Sequence, residues 1–168
     1  MAFTAEDRAF MDAALKQAGR AGKRGEVPVG AVLVMAGAIV ARGSNRTIGG
    51  CDPTAHAEMV VLRRAAKRLG NHRLTGATLY STVEPCLMCY GAAVHARLER
   101  VIYGCPEPKG GAQTGGAHES FPGLNHRLKL EGGLEAERAR ALLVGFFQVR
   151  RGKAAEAGET RGEVPKWS

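Results

Sequence analysis

The chain has 168 residues, 45% of them hydrophobic, and its 24 Lys and Arg against 16 Asp and Glu give a formal net charge of +8. That apolar fraction excludes wholesale disorder, the length suits one domain with a sizeable core, and no apolar run approaches the roughly 20 residues of a membrane span. The positive excess favours a polyanionic partner such as nucleic acid, though a soluble protein can also be basic without one.

The first ten residues carry acids where a secretory leader needs a basic start and an apolar stretch, so a cytoplasmic protein is expected. Thr4 and Asp7 form a capping-box-like start. Behind them Phe10, Met11, Ala14, Leu15 and Ala18 recur at helical spacing, so a helix is expected to about Gly19. Val29–Met35, rich in β-branched residues, the pair Ala36-Gly37 and then Ala38–Ala41 read as a hairpin. Asp52-Pro53 suits the start of a helix, with proline tolerated in the first turn, and Leu62, Ala65 and Leu69 line one face of it up to Gly70. Thr78–Val83 reads as a buried strand, Pro85 opens a short helix to about Ala96, and Val101–Tyr103 and Arg127–Leu130 are further strands. A Gly- and Pro-rich loop spans Gly104 to Gly123; loops of that length in compact domains are functional or mobile. A last helix, about Leu134 to Arg151, has Leu134, Ala141, Leu142, Gly145 and Val149 as its expected inner stripe. Residues 1–151 thus form one α/β domain with helices on both faces of a sheet, and 152–168 a polar tail.

The chemistry concentrates in two short segments, Thr54-Ala55-His56-Ala57-Glu58 and Glu84-Pro85-Cys86-Leu87-Met88-Cys89. Two cysteines three positions apart at a helix start can face one ion, and helix amides there stabilise thiolates. Cytosolic thiols stay reduced, so the pair suggests a metal or redox site before a disulfide. One imidazole and two thiolates make three zinc ligands; catalytic zinc sites leave a fourth position for water, whereas structural ones close it with protein. Closure would need Cys51, Cys105 or His95, each of which also suits the core or a loop. Glu58 follows His56 by two residues, about 200° of rotation in a regular helix. The two share a site only if His56 stands at the irregular helix edge.

The H-x-E … P-C-x-x-C pattern resembles that of the zinc deaminases that act on nucleobases. In that chemistry zinc acidifies a water, and Glu58 takes its proton, delivers it to a ring nitrogen and protonates the departing amine. Across about Phe10 to Arg151 the sequence is similar to the bacterial tRNA adenosine deaminases of the cytidine-deaminase-like superfamily. The resemblance is carried by Glu26–Val32, Asn45-Arg46, Asp52–Glu58, Glu84–Cys89, Pro108–Gly111, Leu124–His126 and Phe146–Arg151.

That resemblance implies a three-layer α/β/α fold with a five-stranded mixed sheet. It implies one Zn2+ per subunit on His56, Cys86 and Cys89, and conversion of adenosine to inosine at the wobble position of a tRNA anticodon stem-loop. It implies a homodimer. Asn45 and the backbone amide of Ala57 match groups that bind the flipped base, Val27 and Pro28 match its pocket wall, and Arg150 and Arg151 match basic groups near the anticodon stem. Glu107, behind an unusual Pro106, stands where the family often has aspartate, so its contact with neighbouring nucleotides is displaced by about one bond, roughly 1.5 Å. Phe146, Phe147 and Phe121 read either as base-stacking platforms or, for the first two, as core. Arg150 and Arg151 equally suit a solvated helix end that favours the helix dipole. A deaminase of free bases or nucleosides would share the same zinc centre, and a non-catalytic zinc-stabilised RNA-binding module would need a closed one.

Overall fold

A computed structural model describes residues 2–116 and 125–156, the last four of them as backbone alone. Helix α1, Ala5–Lys23, starts in a reciprocal capping box in which Asp7 N donates to Thr4 Oγ1 (3.0 Å) and Thr4 N to Asp7 Oδ2 (2.9 Å). It outruns its expected end at Gly19, because Ala18 and Ala21 continue the buried face beyond the glycine. Strands β1 (Gly30–Met35) and β2 (Ala38–Ser44) pair antiparallel about Ala36 and Gly37, whose φ angles of +48° and +73° are those of a tight hairpin turn. Strand β2 extends past Ala41 to Ser44, which pairs with Gly30.

Helix α2 (Ala57–Leu69), strand β3 (Thr78–Val83), helix α3 (Leu87–His95), strands β4 (Arg100–Cys105) and β5 (Lys129–Gly132) and helix α4 (Ala136–Glu156) follow. Strand β5 lies two residues later than expected, and the last helix continues five residues beyond Arg151. The sheet order is β2-β1-β3-β4-β5; β1 is antiparallel to β2 and β3, while β3, β4 and β5 run parallel.

Alternation along each strand builds the layers. Ala31, Leu33, Leu79 and Val101 face Val61, Leu62 and Ala65 of α2 and Ala93 of α3. Val32, Val34, Tyr80 and Ile102 face Met11, Ala14 and Leu15 of α1 and Ala139 and Leu143 of α4. The expected inner stripe of the last helix is corrected: Leu143 and Ala139 are buried, Leu142 and Phe147 pack at the margin, Ala141 is exposed and Val149 is 59% exposed. Ala141–Phe147 is apolar without a break and so presents apolar groups on every side of the helix, and periodicity does not fix its phase.

On the outer side of β2, Arg64 Nη1 of α2 donates to the carbonyl of Arg42 (2.7 Å) and Arg68 Nη1 to that of Val40 (3.0 Å). Asp7 is buried where α1 meets β3 and β4; it accepts from Tyr80 Oη (2.7 Å) and pairs with Arg100 (3.0 Å), which also pairs with Glu131 of β5. Among the described residues no helix is long and apolar enough to cross a membrane.

Candidate active site

Two helix starts converge on one end of the sheet. Asp52 and Pro53 do not open a helix as expected; they form a turn in which Asp52 Oδ1 accepts from Thr54 N (2.8 Å) and Oγ1 (2.7 Å). The helix begins four residues after Pro53, with His56 as its N-cap at φ −65°, ψ 154°. An extended N-cap breaks the helical phase, so His56 and Glu58 escape the rotation that would part them in a regular helix. His56 does not cap its own helix with its side chain. Instead Asn45, at the end of β2, accepts the Ala57 N–H on its Oδ1 (2.9 Å, buried). Cys86 repeats the arrangement on α3: an extended N-cap at φ −70°, ψ 171°, with Cys89 fully buried in the first turn.

His56 Nδ1 lies 3.6 Å from Cys86 Sγ and 3.6 Å from Cys89 Sγ, and the two sulfurs are 3.7 Å apart. A tetrahedral zinc with Zn–S near 2.3 Å and Zn–N near 2.05 Å needs edges of about 3.8 Å between sulfurs and about 3.6 Å between sulfur and nitrogen. The triangle therefore matches one face of a zinc tetrahedron to within about 0.1 Å. Cys105 points away into the α1–α4 core, with Sγ toward the Thr82 carbonyl (3.7 Å). Cys51 is exposed on a turn, and His95 is exposed in the last turn of α3. Among the described residues, His56, Cys86 and Cys89 are the group whose ligand atoms lie close enough to share an ion.

The electrostatics suit a metal and a proton carrier. The hydrogen bond with Cys89, then that with His56, brings Cys86 down to about 4 against the opposing effect of burial. The hydrogen bond with Cys86, then burial, pushes Cys89 up, as expected of two close thiols sharing one proton. A dication takes up both as thiolates. The contact with Cys86 raises the pKa of His56. Burial raises that of Glu58, which is 3% exposed and accepts from Ser81 Oγ at 3.1 Å.

The family described as the cytidine and deoxycytidylate deaminase zinc-binding region matches residues 4–105. A tRNA-specific adenosine deaminase of Agrobacterium fabrum is 46% identical over 148 residues, covering 88% of this chain and 97% of the relative. The chain belongs to the tRNA-specific adenosine deaminases. A relative of the same name from Bacillus subtilis is 41% identical over 162 residues, covering 94% of this chain and 99% of its own length. A solved structure, from work on A-to-I editing by tRNA:A34 deaminases at the wobble position of transfer RNA, superposes with a TM-score of 0.78 at 46% identity, covering 80% of this chain and 99% of that one. The deaminase carries one zinc per subunit, for which its His-Cys-Cys group is the candidate site.

The remaining expected site residues of this deaminase are spread more widely. Asn45 and Ala57 lie together at the start of α2. The Ala57 hydrogen expected at the base is donated to Asn45. Pro28 is buried, and Val27 packs against the α1-side core on the segment leading into β1. Glu107 is half-buried in the loop after β4 and accepts from Lys109 N (3.1 Å). Arg150 and Arg151 are exposed near the end of α4, and the Arg150 guanidinium sits 5.5 Å above the Phe146 ring. Phe146 lines a groove with Gly22 and Gly25, whereas Phe147 packs against the core. Phe121 and the tail from residue 157 lie outside the described residues.

Three residues at the site are not signalled as such by the sequence. Ser81 faces Glu58 from a strand position that reads as core. Glu26 accepts from Gly49 N (2.8 Å) and Ile48 N (3.2 Å), holding the loop that follows Asn45. Glu84 is buried between Cys86 and the loop after β4. Beyond its place in the Glu84–Cys89 segment, its signal is an acidic residue at the end of a strand that reads as buried, which needs a partner there.

Proposed function

We propose that this chain converts adenosine to inosine at the wobble position of a tRNA anticodon, with zinc held by His56, Cys86 and Cys89 and with Glu58 as the proton carrier. The single observation that carries the reading is the ligand triangle of 3.6, 3.6 and 3.7 Å, in a chain whose relatives are named for this reaction. When bound, zinc supplies a water acidified toward a pKa of about 7. Glu58 accepts the proton of the attacking water and hands it to ring nitrogen N1. It then carries the proton that leaves with the amine. A bond forms from oxygen to C6, the bond from C6 to the exocyclic nitrogen breaks, and water plus adenosine become ammonia plus inosine. A buried carboxylate whose pKa is raised takes and returns a proton near neutral pH more readily than an exposed one. The Ser81 hydroxyl fixes one of its oxygens.

Asn45 presents its side-chain amide to the flipped base; its carbonyl oxygen is committed to Ala57, which sets the direction of the NH2 group. Val27 and Pro28 wall the base, and Glu107 reaches the nucleotides beside it. Arg150 and Arg151 take phosphates of the stem; their exposure and the net charge of +8 support this. The chain works as a homodimer. Leu87, 51% exposed on the metal-bearing helix, and Ile48, 54% exposed on the loop after Asn45, are apolar groups that a second copy would cover.

The test is incubation of zinc-loaded protein with an arginine tRNA bearing an ACG anticodon, inosine being read as guanosine on reverse transcription. Inosine at the wobble position, with free adenosine and guanine unchanged, is expected. Absence of inosine, or turnover of free bases instead, overturns the reading.

A further inference from the structure

Glu84 stands at the end of β3, two residues before Cys86, and is 2% exposed. Its carboxylate accepts four hydrogen bonds, all from the loop that follows β4. Oε1 takes Gln113 N (2.8 Å) and Thr114 N (2.8 Å), and Oε2 takes Glu107 N (3.0 Å) and Thr114 Oγ1 (2.5 Å). Two donors on each oxygen fill the acceptor capacity of a carboxylate. The same loop is laced to the metal-bearing turn by Ala112 N to the Pro85 carbonyl (2.9 Å) and by an antiparallel bridge between Gly111 and Cys86. Gly111 passes so close that a Cβ there would lie 2.3 Å from Glu84 Cδ.

Burying a charge is costly unless it is fully hydrogen-bonded, and apolar packing would hold a loop at lower cost. An acidic side chain does what apolar packing cannot: it gathers three backbone amides and a hydroxyl from positions seven residues apart onto one point. We propose that Glu84 is a positioning residue. It fixes the loop of residues 106–114, and Glu107 with it, against the turn that carries Cys86, and so sets how the site grips nucleotides beside the target base. The proposal rests on the reading of Glu107 as a substrate contact.

Glu84→Gln is isosteric, yet its NH2 group must face either the two backbone donors Gln113 N and Thr114 N or Glu107 N beside the Thr114 hydroxyl; the hydroxyl can turn to accept, the backbone N–H groups cannot, so at least one backbone hydrogen bond is broken either way. Hydrogen exchange at Gln113 and Thr114, or at Glu107, is expected to accelerate roughly ten- to a hundredfold, with the amides of β4 unaffected. Zinc content is expected to stay at one per chain. KM for an anticodon stem-loop is expected to rise at least about fivefold while kcat stays within about twofold. Gly111→Ala disturbs the same contact from the other side, so the double variant is expected to be no worse than the more impaired single variant. It also serves as the independent probe if Glu84→Gln fails to fold. Unchanged exchange in the loop, loss of zinc, a fall in kcat at constant KM, or additive effects in the double variant would each overturn the proposal. The exchange measurement decides whether Glu84 fixes the loop, whether or not RNA is turned over, whereas a parent chain that forms no inosine counts against the deaminase reading alone.

Discussion

If Asn45 binds the base as proposed, it has two separable duties, and its substitution should divide them. Its Oδ1 accepts the Ala57 N–H at 2.9 Å, one of the donors that a helix start leaves without an intrahelical partner, and His56 as N-cap offers that helix no side-chain bond. Asn45→Ala removes the cap and leaves a buried donor unpaired, together about 2 kcal/mol. For a chain of this size that lowers Tm by roughly 4–8 °C. Asn45→Asp keeps the acceptor, and the helix N-terminus favours its charge, so Tm should stay within about 2 °C. What Asp lacks is the NH2 group directed at the base, and kcat/KM for an anticodon stem-loop should fall at least about a hundredfold. Thermal unfolding of the zinc-loaded variants by circular dichroism, alongside kcat/KM, gives both readouts. If Asn45→Asp deaminates at the parent rate, or if Asn45→Ala melts where the parent does, the division of labour is wrong.

Four further outcomes follow from the same geometry. Glu58→Gln should lose about 10²–10⁴ in kcat with zinc still bound, and its stability at neutral pH should not fall, because a neutral side chain avoids the cost of burying a charge, which raises the pKa of Glu58; metal analysis and denaturant titration read both. Removal of zinc with a strong chelator should abolish turnover and lower Tm, and added zinc should restore both; unchanged activity after verified removal would exclude a metal mechanism. Burial pushes the Asp7 carboxyl upward, but hydrogen bonds from Thr4 and Tyr80 and the charge of Arg100 hold it below its ordinary value. Its contribution to stability is therefore present above about pH 4 and lost as pH falls through the folded-state value, and Tyr80→Phe should flatten that acid limb in denaturation curves between pH 6 and 3. Replacing Arg150 and Arg151 with Ala should weaken stem-loop binding and reduce its salt dependence by about one unit of log–log slope for each phosphate no longer neutralised; an unchanged slope would return both arginines to a solvated helix end.

Periodicity and punctuation are enough to read most of this fold. Thr4 and Asp7 announce α1, Ala36-Gly37 the hairpin, and the β-branched run Val29–Met35 its first strand, which the structure buries on both faces. The metal triangle is legible because its ligands lie in two short segments whose chemistry is local. The last helix is harder: Ala-Leu-Leu-Val-Gly-Phe-Phe offers apolar groups in every direction, and only packing against the sheet and α1 selects Leu143 over Ala141. The start of α2 is misplaced from sequence because proline suits a first helical turn and a β-turn alike. Glu84, Ser81 and the Asn45–Ala57 bond are illegible as contacts, since each joins segments whose meeting depends on the sheet order.

The two arginines that reach from α2 over β2 bear on how copies of this chain can meet. Arg64 and Arg68 occupy carbonyls of the strand at one margin of the sheet, and at the other margin β5 is four residues long and carries Lys129 and Glu131. Neither border is a ready template for another strand. Self-association by lengthening the sheet is thereby disfavoured, along with the runaway stacking to which that route is prone, and the pairing proposed above would have to use helices and loops, where the metal-bearing turns also lie.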